Sequence, residues 1–127
     1  MTYRSELYKT RQWYISHEIL YAEHDDQKID EPSPVWENLI LIQANGPEEA
    51  YEKAMEHGRM SENEIQINGK QGHFKFCGLK DLMLVYDELE DGAELEWYEM
   101  ELTRAQAKKL TKPKELLHAF NPTDFEE

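Results

Sequence analysis

The side chains able to do acid–base, nucleophilic or metal chemistry are five histidines, one cysteine, a few serines and 27 acidic residues. His17, His24, His57, His73 and His118 include no pair four residues apart, and there is no His-Glu-x-x-His run, so the helical zinc arrangement is missing. His17-Glu18 and His24-Asp25-Asp26 make the densest group of potential ligands. Adjacent strand residues point to opposite faces, so His17 and Glu18 cannot hold one ion from a regular strand. They read as structural. Cys77 follows Phe76 in an expected strand and reads as a buried, inert thiol. Ser16, Ser33 and Ser61 lie in neither a Gly-x-Ser-x-Gly elbow nor a Ser-x-x-Lys spacing. The six glycines build no phosphate-cradling loop. Catalytic, cofactor and metal residues are therefore assigned to none of these groups.

Acids are so numerous that close pairs arise without selection for proton transfer, and their distribution says more than their pairing. The net charge is −13. Met1 to Leu102 holds 9 basic and 23 acidic residues, whereas all five basic residues after Leu102 lie between Arg104 and Lys114. Phosphate backbones demand Lys and Arg, so direct nucleic-acid binding is not expected. Cations or basic protein surfaces are the natural partners, a basic protein foremost.

The elements that must position these groups follow from periodicity. Trp13 to Tyr21 alternates, with Trp13, Ile15, His17, Ile19 and Tyr21 on the apolar face of a strand. His24 to Pro34 is polar, carries two prolines and reads as a loop. Val35 to Ala44 passes from alternation into a continuous apolar run, the pattern of a central strand covered on both faces. Gly46 then sits at an N-cap, Pro47 at the first helical position and Glu48 and Glu49 in the first turn, with Gly58 as the stop signal. This predicts a helix over Pro47 to His57, packing on a sheet through Ala50, Tyr51, Ala54 and Met55. Asn68-Gly69 marks a hairpin leading into the strand around Phe74 and Phe76, and Gly78 marks a bend.

Asp81 to Leu102 carries nine acids and no Lys or Arg, with Asp91-Gly92 between its apolar halves. It predicts a second hairpin, half-buried and unusually acidic. Apolar parity slips between Trp97 and Tyr98, which predicts a bulge there that keeps Glu94, Glu96, Glu99 and Glu101 outward. Trp13, Trp36 and Trp97 share the inward parity and read as core. Thr103 caps a short basic helix in the Arg-Ala-Gln-Ala-Lys run, a further helical turn or two follows in 112–120, and Asn121 onward is a frayed tail. The whole predicts an α+β domain over 1–102, a mainly antiparallel sheet covered by one helix, with a basic helical appendage over 103–120 and a tail over 121–127.

Several pieces in series, WYISHEILYAE, LILIQA with PEEAYEKAMEHG, HFKFCGLKDL and DELEDGAELEW, resemble the bacterial DUF4288 family of small domains of unknown function. The resemblance spans Trp13 to Leu102 and implies a small α+β module. It implies no activity, cofactor or catalytic residue.

No run reaches the roughly 18 apolar residues of a membrane helix. The polar N-terminus lacks the pattern of a secretory signal, and a lone cysteine forms no internal disulfide. The expectation is a small cytoplasmic, non-enzymatic binding module acting through an acidic face, Glu94, Glu96, Glu99 and Glu101, on a basic macromolecule. An immunity-type or nucleic-acid-mimicking inhibitor is a sharper form of that idea. The rival from another class is a small-ligand binder or enzyme with a pocket lined by His17, Tyr21 and Trp36. A homodimer is compatible with the sequence.

Overall fold

The computed structural model describes residues 12–67 and 69–122. Four strands form one antiparallel sheet: β1 (Gln12–His24), β2 (Val35–Ala44), β3 (Glu64–Ile67) and β4 (Lys70–Val85), in the order β2-β1-β4-β3. One helix, α1 (Pro47–Met60), links β2 to β3 and covers one face. The fold is α+β, as the order of sequence signals predicts.

β2 is an edge strand rather than a central one, and β1 and β4 are the interior ones. β1 pairs with β2 along Gln12–Tyr21 and with β4 along Trp13–His24, and Tyr14 through Glu18 are all buried. Its even-numbered residues, read as outward from the sequence, face the helix. Across from them stand Ile40, Ile42 and Ala44 on β2 and Leu79, Leu82 and Leu84 on β4, meeting Ala50 and Ala54 of α1. Of the four helix residues expected to pack, the two alanines are fully buried and Tyr51 is exposed. Alanine is what lets the helix axis approach the sheet.

Gly58 does not end the helix, which continues to Met60. A Cβ at Gly58 would lie 2.3 Å from the Phe76 ring, so the glycine is there for close packing against β4. The N-terminal signals act as expected, with Gly46 at the N-cap and the Asn45 N–H donating to Glu49 Oε1 at 2.9 Å.

The Asn68-Gly69 signal joins β3 to β4, since Ile67 pairs with Lys70 and Gly69 has φ 81°. Asn68 itself lies outside the described residues. The second hairpin does not form. Asp91-Gly92 does turn, with Gly92 at φ 90° and the Ala93 N–H donating to the Glu90 carbonyl at 2.9 Å, but residues 86–103 enter no strand. A two-residue turn there would set Asp87 directly opposite Glu96, with Glu94 diagonal to it on the same face, and like charges across a strand pair oppose pairing. The expected bulge at Trp97–Tyr98 is absent with it. The register shifts instead in β4, where Cys77 and Lys80 are extra residues opposite Leu20–Ile19 and Glu18–His17, beside Gly78 at φ 135°. Cys77 is therefore exposed rather than buried.

The chain divides into two compact units, ending and beginning at Trp97 and Tyr98, where the sequence reading placed a boundary at Leu102. In the second unit, α2 (Arg104–Lys108) has Thr103 at its N-cap in a reciprocal capping box with Gln106, followed by 3-10 turns at Lys114–Leu116 and His118–Phe120. Of the expected tail, residues 123–127 lie outside the described residues.

Candidate functional site: a buried histidine bridge under an acidic, apolar patch

Because β1 is an interior strand, its neighbours His17 and Glu18 are both buried, one on each face of the sheet, at 2% and 0% exposure. That is the opposite-face geometry expected of adjacent strand residues. Each has found counter-charges from a different element.

On the helix side, both carboxylate oxygens of Glu18 face Nδ1 of His57, at 3.0 and 2.9 Å, in the last turns of α1. A buried carboxylate is costly without a partner, and His57 supplies one while keeping its own edge half-exposed.

On the other side, His17 sits between two carboxylates. Nδ1 lies 2.6 Å from Glu37 Oε2 on β2, and Nε2 lies 2.8 Å from Glu96 Oε1. Lys80 Nζ closes the array at 3.2 Å from Glu37 Oε1. A neutral imidazole has one N–H, so with both carboxylates ionised the two contacts are hydrogen bonds only when His17 is protonated on both nitrogens. Burial pushes the imidazole pKa down, but the hydrogen bonds and charges of Glu37 and Glu96 outweigh it and leave the pKa above the usual 6.5. The same bond to His17, with that to Lys80, holds the Glu37 carboxyl below its usual value.

Glu96 is the surprise of this site. It was expected on an outward acidic row, and instead its side chain is 9% exposed and turned down onto the sheet. Its neighbours Leu95 and Trp97 stay exposed, as does Glu94, whose N–H donates to Asp87 Oδ2 at 3.0 Å. Glu99 and Glu101, also exposed, belong to the second unit. The four acids are thus not one strand face.

A sequence model of the family described as Domain of unknown function (DUF4288) matches residues 13–97, about two thirds of the chain. The chain belongs to the DUF4288 family. No curated protein and no solved structure matches it. The DUF4288 match ends at Trp97, where the first compact unit ends, and it contains every member of both histidine arrays.

The pocket residues suggested by sequence do not converge in this DUF4288 domain. Tyr21 shares the His17 face, opposite Val35, while Trp36 stands opposite Leu20 on the helix face and meets the Phe74 ring edge-on at 5.3 Å. Among the described residues, no group of three His, Cys, Asp or Glu is arranged to hold a metal ion, and no helix is long and apolar enough to cross a membrane. A cleft of about 200 Å³ lined by Trp13 and Tyr86 to Leu89 includes neither His17 nor His57.

The His17 face also exposes apolar surface. Leu39, directly across from His17, is 58% exposed, and Leu41 and Val35 on the same face of β2 are exposed as well. Trp97, read as core from its parity, is 61% exposed. Sequence reasoning missed this patch because it took β2 for a central strand. The one available signal was the polar, proline-bearing loop before β2, which suits an edge.

Proposed function

We propose that this domain is a non-enzymatic, cytoplasmic bacterial binding module that recognises a basic region of another protein. Its contact surface is the His17 side of the sheet: Leu39 and Leu41 from β2, Leu95 and Trp97 from the segment that carries Glu96, and exposed acids of that segment such as Glu94. The observation that carries this reading is the exposure of Leu39 and Trp97 around a buried ionic bridge. Large apolar side chains grouped on a surface and rimmed by charge are the usual composition of a protein contact site. The acidic rim, in a chain of net charge −13, selects basic partners and speeds encounter. A single cysteine, incapable of an internal disulfide, suits a reducing compartment.

The test compares proteins captured from host extract by the wild-type chain, a Leu39→Ser/Trp97→Ser variant, and a Glu94→Gln variant. The double variant is expected to lose a basic partner outright. The Gln variant is expected to capture it more slowly, with a weaker dependence on salt. Recovery of the same proteins by all three would overturn the proposal.

A further inference from the structure

The two edges of the sheet are finished differently. β3 is four residues long, whereas β2 runs for ten, Val35–Ala44, in unbroken register with β1. Natural edge strands are kept from pairing by short length, by Lys or Pro, or by a bulge. β2 contains no Lys, no Pro and no bulge, and its one ionisable residue, Glu37, is already engaged by His17 and Lys80. In a chain where 32% of residues are charged, such a strand has the charge-poor composition of an interface centre.

Backbone hydrogen bonds fix which groups of β2 are on offer. The Ala22 N–H donates to the Pro34 carbonyl at 3.1 Å, so residues 22 and 34 form a hydrogen-bonded pair, and in an antiparallel ladder such pairs recur at every second residue. The even-numbered residues of β2 therefore bond to β1. Val35, Glu37, Leu39 and Leu41 aim their N–H and C=O groups away from the sheet, where no described residue bonds to them. Gln43 keeps the same phase, and its outward carbonyl accepts from Lys53 Nζ, which stoppers that end of the edge. The side chains of Val35, Leu39 and Leu41 are 60%, 58% and 46% exposed, so the edge is open to solvent.

We propose that this edge pairs with the β2 edge of a second copy of the chain, antiparallel and two-fold symmetric about Leu39. That register sets Leu39 against Leu39 of the second copy, and Glu37 against Leu41 on either side. Each such pair exchanges two backbone hydrogen bonds. Charge selects the register. Centring the axis on Glu37 would put two carboxylates directly opposite each other, a destabilising pair. Centring it on Leu41 would require the Gln43 carbonyl, which Lys53 holds. With the axis at Leu39 the two Glu37 residues stand four positions apart along the strands, roughly 14 Å, beyond the Debye length of ~8 Å at physiological salt. The two four-stranded sheets then become one, with Leu39 and Leu41 of both copies together on the His17 side.

Sedimentation velocity of the purified full chain tests the pairing with no other protein present, so its outcome is separate from that of the capture experiment. The wild type is expected to pass from monomer to dimer as concentration rises, and more readily at higher salt, because two chains of net charge −13 repel. Capture of a basic protein depends on salt in the opposite sense. Leu39→Lys and Leu39→Glu, at a solvent-exposed position, are each expected to keep the fold by circular dichroism and to weaken dimerisation about tenfold or more, since like charges then meet on the axis. An equimolar mixture of the two variants is expected to recover the dimer, because opposite charges meet there instead. Hydrogen exchange reads the phase of the strand. The amides of Glu37, Leu39 and Leu41 are expected to gain protection with concentration, while those of Asn38 and Ile40, bonded to β1, are protected throughout. A wild-type chain that stays monomeric up to ~1 mM would overturn the proposal. So would a Leu39→Lys chain that dimerises like the wild type, or a mixture that gains nothing over the separate variants.

Discussion

The two faces of β1 solve the same problem by different means. Each buries an ionisable residue at adjacent positions, Glu18 toward the helix and His17 away from it, and each neutralises it with side chains from other elements. On the helix face the cover is regular and close. Ala50, Ala54 and Gly58 put small residues against Ile42, Leu79 and Phe76, and the histidine partner comes from the same helix. On the far face Glu96 reaches His17 from an irregular, acidic segment, with Leu39, Leu41 and Trp97 left exposed. The helix face is built to stay shut. The other face is covered by irregular structure and leaves apolar side chains exposed, which is where the proposed contact surface lies.

Stability measurements should separate the faces. The largest loss is expected from Ala54→Asp, which buries an unpaired charge at a site with no exposed surface, at a cost of about 3 kcal/mol or more. Lys53→Asp, one residue away on the exposed side of α1, should remove only the Glu49 pair and the bond to the Gln43 carbonyl. Thermal melting of both variants checks this, and equal effects would mean the helix does not face the sheet as described.

Next comes His57→Ala. Breaking a buried ion pair costs ~3–5 kcal/mol, and because His57 is half-exposed, water can reach Glu18 in the variant, so the lower end of that range is expected. Adding Glu18→Gln to His57→Ala should restore part of the loss, because the buried charge is then gone. A double variant no more stable than His57→Ala would show that Glu18 is not charged in the fold.

Gly58→Ala is expected to be destabilising by ~1–3 kcal/mol, since its methyl group would overlap the Phe76 ring and force ring or helix to move. Alanine is the better helix former, so a glycine inside the helix with open space around it would gain stability from this change. Denaturant melting therefore distinguishes a glycine required by packing from one merely tolerated within the helix by the sign of the effect.

That glycine illustrates what the chain discloses and what it withholds. Local rules were enough for the start of α1, the Asn68-Gly69 hairpin, the capping box at Thr103 and the α+β class, because each depends on residues within a few positions of one another. Which strand is central was not legible. β2 has the longer apolar run, yet β1 is the strand buried on both faces, because its charged members find partners 20, 39 and 79 residues away. Glu37, His57 and Glu96 look like surface residues until the fold brings them to His17 and Glu18. The acidic hairpin failed for a related reason: its turn residues fix a turn, but pairing depends on what the arms would place opposite each other. One acid that should have pointed outward became the counter-ion of the buried histidine.

The smallest effect on stability is expected at Trp97, and it is the sharpest contrast with Ala54. A tryptophan in a core would cost ~3–5 kcal/mol to remove, and its strand parity argued for such a place. Trp97 is instead largely in solvent beside Glu96, where little apolar area is lost when the ring is deleted. Trp97→Ser should therefore shift stability by no more than ~0.5 kcal/mol, the range of ordinary surface changes. Urea melting followed by circular dichroism, which does not depend on the lost fluorophore, gives the number. A cost of several kcal/mol would place Trp97 within the folded core and remove the apolar centre of the proposed contact surface. A negligible cost would leave an exposed tryptophan with no role in holding the fold, as the binding reading requires.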